Sequence, residues 1–144
     1  MIDRYTRPRM SAIWDLQHKY EIWLEVELQA CAAFERGGQI PRGTSARIRK
    51  KAKIDVARIA EIEKVTKHDV IAFLESLMDS VGPEHRFLHM GLTSSDIVDT
   101  SLAVQMTEAL DLILEDLNEL IAVLKKRALE HRHTVMVGRS HGIH

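Results

Sequence analysis

Apolar residues recur every three or four positions along almost the whole chain, and strict alternation of apolar and polar residues never lasts more than a few positions. A three- to four-residue spacing places apolar side chains on one face of an α-helix, whereas alternation is typical of a β-strand. The sequence therefore predicts an all-α protein.

Residues that start and stop helices divide the first part of the chain into four predicted helices. Serine, threonine and aspartate are favoured at helix N-caps, and glycine or proline commonly follows the last turn. The predicted helices start near Ser11, at Thr44 or Ser45, at Asp55 and at Asp69, and they stop at Gly37, Lys53, Thr66 and Gly82. We predict that residues 84–94 are mainly loop.

The segment over residues 96–131 is the longest predicted helix, because it contains neither glycine nor proline. Asp96 lies at its start and basic residues 125–127 lie near its end, an order that suits the helix dipole. Thr93 followed three positions later by Asp96 has the spacing of a capping box with an acid in the last place. These residues predict the start of the helix.

The apolar face of this long helix is wide. At 3.6 residues per turn, its apolar residues cover an arc of roughly 200°, well beyond the stripe that a surface helix needs. The helix is roughly 54 Å long, whereas a compact chain of this length has a diameter of about 37 Å. We therefore expect further sequence or other subunits to cover the face, and we interpret the chain as a fragment of a larger oligomeric helical protein.

Composition excludes several classes of protein. The 20 basic and 21 acidic residues give a formal net charge of −1, so neither nucleic acid nor an acidic membrane is an expected partner. The single cysteine, Cys31, excludes an internal disulfide framework and a cysteine-based zinc finger. No apolar run approaches the roughly 18–20 residues that span a bilayer, and the N-terminus lacks the apolar core of a signal peptide. These features predict a soluble cytoplasmic protein.

Three polar loops beside predicted helix ends hold most of the candidate chemistry. They cover residues 66–69, 89–96 and 138–142. Free N–H groups and the positive end of the helix dipole make the first two loops favourable for an anion, and Lys67, Thr93 and Ser94 add donors there. Because serine, threonine and aspartate are also the usual N-caps, a purely structural role for these residues stays open.

Histidine changes its charge near neutral pH, so His68, His89 and His141 in these loops are the candidates for acid–base chemistry. Each of the three also has a structural or solvent-exposed interpretation. Near the N-terminus, the basic residues Arg4, Arg7 and Arg9 form a candidate phosphate contact together with Tyr5. The alternative is that a short charged terminus is merely solvated.

A metal site is a weaker interpretation of the C-terminal histidines. Four of them are close enough in sequence for a zinc site, namely His131, His133, His141 and His144. No cysteine lies near them, and the residues at 134–137 are mainly apolar. We therefore predict no metal site.

Taken together, these segments resemble the adenylosuccinate lyase family of the fumarase/aspartase superfamily, as an N-terminal fragment. The resemblance rests on ordered motifs that cover essentially the whole chain. The motifs are Arg4-Tyr5 with Pro8 and Met10, Trp14, Trp23-Leu24-Glu25-Val26-Glu27, Glu61 with Glu63, Lys67-His68-Asp69-Val70, residues 91–96, Val98-Asp99-Thr100 and residues 138–142. The family fold implies an N-terminal helical domain over residues 1–95. Residues 96–144 would then supply the first long helix and catalytic loop of a truncated central helical bundle.

The resemblance implies a reversible β-elimination that releases fumarate in purine biosynthesis. The implied substrates are adenylosuccinate, which gives AMP, and succinylaminoimidazole carboxamide ribotide, which gives the carboxamide ribotide. No cofactor and no metal are expected. The reaction needs a base for a weakly acidic proton, donors for the charge that develops on a carboxylate, and a proton for the departing amine.

Residue roles follow from the same resemblance. His141, in the loop Gly138-Arg139-Ser140-His141-Gly142, corresponds to the general acid, and Ser140 replaces the threonine of the family pattern. His68 is either a catalytic partner or a residue that orients the phosphate, and we favour the second role. The residues implied to bind substrate are Arg4 and Tyr5 for the nucleotide, Lys67, His68 and Asp69 for its phosphate and ribose side, Thr93, Ser94 and Ser140 for carboxylates, and His89 near the site.

The resemblance also implies that the serine-rich loop with the catalytic base lies beyond residue 144. Family members are homotetramers whose active sites combine loops from three subunits, which would supply the cover that the long helix needs. We therefore expect this polypeptide alone to be inactive. Two alternatives from other classes are a helical interaction module that pairs through residues such as Ile113 and Leu117, and a metal-binding helical protein.

Overall fold

The computed structural model describes residues 2–143, and these residues form helices joined by short connections. The α-helices are α1 (Pro8–Ile13), α2 (Leu16–Arg36), α3 (Thr44–Lys51), α4 (Val56–Thr66), α5 (Asp69–Val81) and α6 (Ser94–Glu130). Short 3₁₀ helices cover Asp3–Tyr5 and Gly82–Phe87. Over residues 2–143 the only β-type pairing is an isolated bridge between Ser140 and Ile143. The all-α prediction is confirmed.

Two predicted helix starts have the expected side-chain caps. The Asp55 carboxylate accepts a hydrogen bond from the Arg58 N–H over 2.9 Å at the start of α4. At the start of α6, the Thr93 N–H donates to Asp96 Oδ2 over 2.8 Å, which is the reciprocal bond of the predicted capping box. These bonds satisfy N–H groups that a helix leaves without internal partners.

One local prediction is wrong. The first helix is interrupted at Trp14, because the Asp15 side chain accepts from the Gln17 N–H over 3.0 Å and caps a new helix, α2. Residues 84–94 are mainly loop, as predicted, although residues 84–87 belong to the 3₁₀ helix Gly82–Phe87. Proline in the first turn favours this helix, because its fixed φ is already helical and its missing N–H is not needed there.

The chain consists of two compact units, Met1–Ala109 and Leu110–His144, which divide within α6. The first unit contains the hydrophobic core. At its centre the rings of Trp23 and Phe73 meet edge to face with centroids 5.5 Å apart, and Tyr20 stacks on Phe73 at 5.7 Å. Leu77 and Ile97 are fully buried in the same cluster. Since aromatic side chains bury the most apolar area, this cluster is the main source of stability in the unit.

The second unit exposes its apolar side chains. Every residue from 113 to 143 is exposed, and among the apolar ones Leu114 and Ile121 are 55% and 61% accessible. The expectation that this chain leaves the apolar face of the long helix uncovered is confirmed over residues 113–130, whereas Ile97 near the start of α6 is buried. Within residues 2–143, no helix has both the length and the apolar character needed to cross a membrane.

An ion-pair cluster joins α3 to the 3₁₀ helix Gly82–Phe87. Glu84 accepts from Arg47 Nε over 2.7 Å and from Lys51 Nζ over 2.8 Å. These hydrogen bonds, first from Lys51 and then from Arg47, lower the pKa of Glu84 from 4.5 to about 2. The carboxylate is therefore held in its charged form by α3.

We expect Glu84→Gln to destabilise the protein in a pH-dependent way. Because the pKa is lower in the folded state, the contribution of Glu84 is complete above pH 4.5 and is lost as the pH falls towards 2. In urea titrations, the difference in the free energy of unfolding between the unsubstituted protein and Glu84→Gln should therefore shrink as the pH falls from 4.5 towards 2. Glu61→Gln, which removes an exposed i,i+3 partner of Lys64, is the control and should show little effect. A Glu84→Gln difference that does not change with pH would contradict the expectation.

Candidate functional site

The turn between α4 and α5 presents His68 at a helix N-terminus. Lys67 ends α4 in the left-handed conformation, with φ of 55°, and His68 returns to extended backbone as the N-cap of α5. Thr66 holds the turn, because its Oγ1 donates to the His68 carbonyl over 3.2 Å. The sequence predicted this helix start at Asp69 but did not assign the cap to His68.

The His68 ring joins the starts of two helices. Its Nδ1 accepts from the Ile71 N–H over 3.5 Å, and its Nε2 lies 3.4 Å from the Oγ of Ser94, the first residue of α6. A neutral ring with its proton on Nε2 makes both bonds, whereas a protonated ring would direct Nδ1–H to Asp69 Oδ1 at 3.5 Å. The structure thus brings His68, Asp69 and Ser94 together at the starts of α5 and α6.

Several N–H groups at these helix starts are already paired within the chain. Asp69 Oδ1 accepts from the Val70 N–H over 2.8 Å, and Asp96 accepts from the Thr93 N–H. The capping interpretation is therefore confirmed for Asp96, whereas Asp69 bonds the next N–H of α5, whose N-cap is His68. A ligand anion would rely more on side-chain donors such as Ser94 Oγ than on the capped N–H groups. The side chain of Lys67 lines a shallow depression with Glu63 and Lys64.

The third loop histidine, His89, is bound to a buried acid that the sequence analysis did not select. Glu27 on α2 is fully buried, and its Oε1 lies 2.7 Å from His89 Nδ1. Its Oε2 accepts from the His89 N–H over 2.6 Å. The sequence feature that could have identified Glu27 is a charged residue one helical turn after Trp23, on the buried face of α2.

Arg4 and Tyr5 lie together near the N-terminus. Both belong to the 3₁₀ helix Asp3–Tyr5, and the Arg4 guanidinium carbon lies 4.7 Å from the centroid of the Tyr5 ring. The Tyr5 side chain is 73% exposed. A planar cation over an accessible aromatic ring is chemically suited to a phosphate and a base, which fits the predicted nucleotide contact.

His141 and Ser140 belong to the second unit, where they form a tight turn. The Ser140 N–H donates to the Ile143 carbonyl over 2.9 Å, and the Ile143 N–H returns a bond of 3.0 Å. His141 and Gly142 between them have φ of 50° and 84°, as in a type I′ turn. The turn presents the imidazole of His141 in an exposed position.

The C-terminal histidines do not form a metal centre among the described residues. Over residues 2–143, no group of three or more histidine, cysteine, aspartate or glutamate side chains is arranged to hold a metal ion. His144, one of the four histidines of the zinc alternative, lies outside the described residues. His131 Nδ1 is instead 3.1 Å from Thr134 Oγ1.

A groove in the first unit provides a further uncovered surface. It has a volume of about 430 Å³ and lies between α2 and the first turns of α6. Ile22 and Val26 line one wall, and Thr100 and Val104 line the other. The walls are mainly apolar, which is typical of a surface that is covered in an assembly.

The chain is similar in sequence and in structure to known lyases. A family model described as "Lyase" matches residues 3–144. The chain is 51% identical to adenylosuccinate lyase from Synechocystis sp. and 46% identical to adenylosuccinate lyase from Bacillus subtilis, over 100% of this chain and 33% of each relative. The crystal structure of fumarate lyase from Mesorhizobium sp. BNC1 superposes with a TM-score of 0.85 and 27% identity, over 94% of this chain and 33% of that one.

These comparisons test the predicted fold class. The chain spans about one third of the length of the curated relatives that it matches. Within that third, the superposition on a fumarate lyase confirms the prediction of an all-α fold of the fumarase/aspartase type.

Proposed function

The chain belongs to the lyase family whose model matches residues 3–144, and on that premise we propose that the protein carrying it is an adenylosuccinate lyase. The observation that carries the proposal is the 46–51% identity to adenylosuccinate lyases over all 144 residues. The substrates would be adenylosuccinate and the succinylated carboxamide ribotide, and the products fumarate and the corresponding amine.

The proposed reaction breaks a carbon–nitrogen bond by β-elimination. A base takes a proton from the carbon beside a carboxylate, the electron pair forms the double bond of fumarate, and the nitrogen leaves with a proton from an acid. We propose His141 as that acid, because its turn presents an exposed imidazole. Hydroxyl groups such as those of Thr93 and Ser94 would bind the carboxylates, where charge develops in the transition state.

We propose that His68 orients the site rather than transferring a proton. Its Nδ1 caps α5, and its Nε2 contacts Ser94 Oγ, so both nitrogens already have partners within the chain. A ring held in this way would set the position of the Ser94 hydroxyl. Arg4 and Tyr5 would bind the nucleotide, while Lys67 and Asp69 would contact its phosphate and ribose side.

We also propose that the protein works as a cytoplasmic homotetramer. The exposed apolar side chains of residues 110–130 and the apolar groove beside α2 support this, because stable interfaces bury such surfaces. In this assembly each site would combine loops from different subunits. Because the chain spans one third of its relatives, we propose that it does not release fumarate by itself.

The proposal is tested by incubating the whole purified protein with each succinylated nucleotide and measuring fumarate by chromatography. We expect turnover of adenylosuccinate without added metal or cofactor, and size-exclusion chromatography with light scattering should give the mass of a tetramer. An assembled protein that turns over neither substrate would contradict the proposal and favour the helical interaction module.

A further inference from the structure

Glu27 is a fully buried carboxylate whose hydrogen bonds converge on one residue. It lies on α2 beside the aromatic core, and His89 uses both of its oxygens, at 2.6 and 2.7 Å. Burying a carboxylate is costly unless hydrogen bonds or an opposite charge compensate for the lost water. Such an acid in the core therefore needs a reason beyond packing.

The contacts of Glu27 determine both the backbone and the ring of His89. His89 has φ of 59°, an uncommon conformation for a residue with a side chain, and the bond from its N–H to Oε2 stabilises it. The second oxygen receives Nδ1–H, which fixes the tautomer and the orientation of the imidazole. Within residues 2–143, Nε2 of this ring makes no hydrogen bond, and the side chain is 24% accessible.

His89, which Glu27 holds, lies in the connection just before α6. The His89 carbonyl accepts from the Leu92 N–H over 3.4 Å, Gly91 turns the chain with φ of 69°, and Ser94 begins the helix. The pair of Glu27 and His89 thus ties this connection to α2.

We propose that Glu27 is a positioning residue of the lyase site, which acts by holding His89 with its Nε2 free to contact the anionic substrate. This inference rests on the proposed function, because it concerns the same substrate. A carboxylate partner orients the imidazole, and Nε2, when it carries a proton, can then donate to a phosphate or a carboxylate.

The test compares Glu27→Gln with Glu25→Gln in the whole protein. Glutamine keeps the shape of the side chain but loses the charge and one of the two acceptors. We expect kcat/KM to fall by about 10–100-fold, mostly through a higher KM, because a binding contact is misplaced. Glu25 lies two residues away on the same helix, is half-exposed and pairs with Arg49, so its variant should behave like the unsubstituted protein.

A double-variant cycle separates positioning from structural support. His89→Asn removes the imidazole, and asparagine tolerates the left-handed backbone. If Glu27 acts through His89, adding Glu27→Gln to His89→Asn should lower kcat/KM by less than twofold further. Circular dichroism checks that each variant folds. If Glu27→Gln does not fold, Glu27→Asp is measured instead, because it keeps the negative charge but moves the carboxylate away from His89. The shorter acid should show the same rise in KM.

Three results would each overturn this inference while the proposed function stands. They are Glu27→Gln kinetics like those of Glu25→Gln, additive losses of kcat/KM in the double variant, and an unchanged KM in Glu27→Asp. An unsubstituted protein that releases no fumarate would overturn the proposed function, and this inference with it.

Discussion

Trp23→Ala is expected to lower the free energy of unfolding by about 3–5 kcal/mol, the range for removing a large buried aromatic side chain. Trp23 is fully buried, with its ring edge to face with Phe73 and 5.3 Å from Tyr20. Alanine would leave a cavity that two rigid rings cannot fill by small shifts. The measurement is urea unfolding followed by circular dichroism, which does not depend on the tryptophan that is removed.

Trp14 provides a matched control for this substitution. It is the same residue type, lies at the break between α1 and α2, and is 38% accessible. Trp14→Ala should cost about 1 kcal/mol or less, because most surface substitutions have small effects. Equal losses for the two alanine variants would show that the cluster of Tyr20, Trp23 and Phe73 is not the centre of stability.

Features that depend on neighbouring residues could be predicted from the sequence. The capping box of Thr93 and Asp96 and the cap at Asp55 each join residues three positions apart, so their spacing alone identified the helix starts. The helical periodicity likewise identified the fold class. Asp15 was also a local cap, but the continuous apolar pattern around Trp14 obscured it.

Features that depend on distant residues could not be predicted. Glu27 and His89 are separated by 62 positions, and His68 and Ser94 by 26, so no local spacing links them. Only the folding of α2 against the connection before α6 makes Glu27 a partner of His89. The three loop histidines were selected by type and setting, whereas the groups that orient two of them came from tertiary structure.

These orienting contacts indicate different roles for the three histidines: substrate binding for His68 and His89, and proton transfer for His141. His68 and His89 are both held by hydrogen bonds within the first unit, at the N-terminus of α5 and just before α6. His141 instead occupies an exposed turn of the second unit. A residue that gives up a proton and regains it in each cycle needs access to substrate and solvent, whereas a binding residue needs a fixed orientation. This contrast favours His141 as the acid.

In the whole protein, His141→Asn is expected to lower kcat by about 10²–10⁴-fold with only a small change in KM, the usual scale for losing general-acid help. Asparagine is preferred to alanine because residue 141 has φ of 50°, a conformation that asparagine adopts readily, so the turn should persist. Steady-state rates of fumarate release give both constants. His131→Asn, at the end of α6 and paired with Thr134, is the control and should keep kcat within about twofold. If kcat is unchanged in His141→Asn, or falls equally in the two variants, His141 is not the general acid, because losing the proton donor must slow the bond-breaking step.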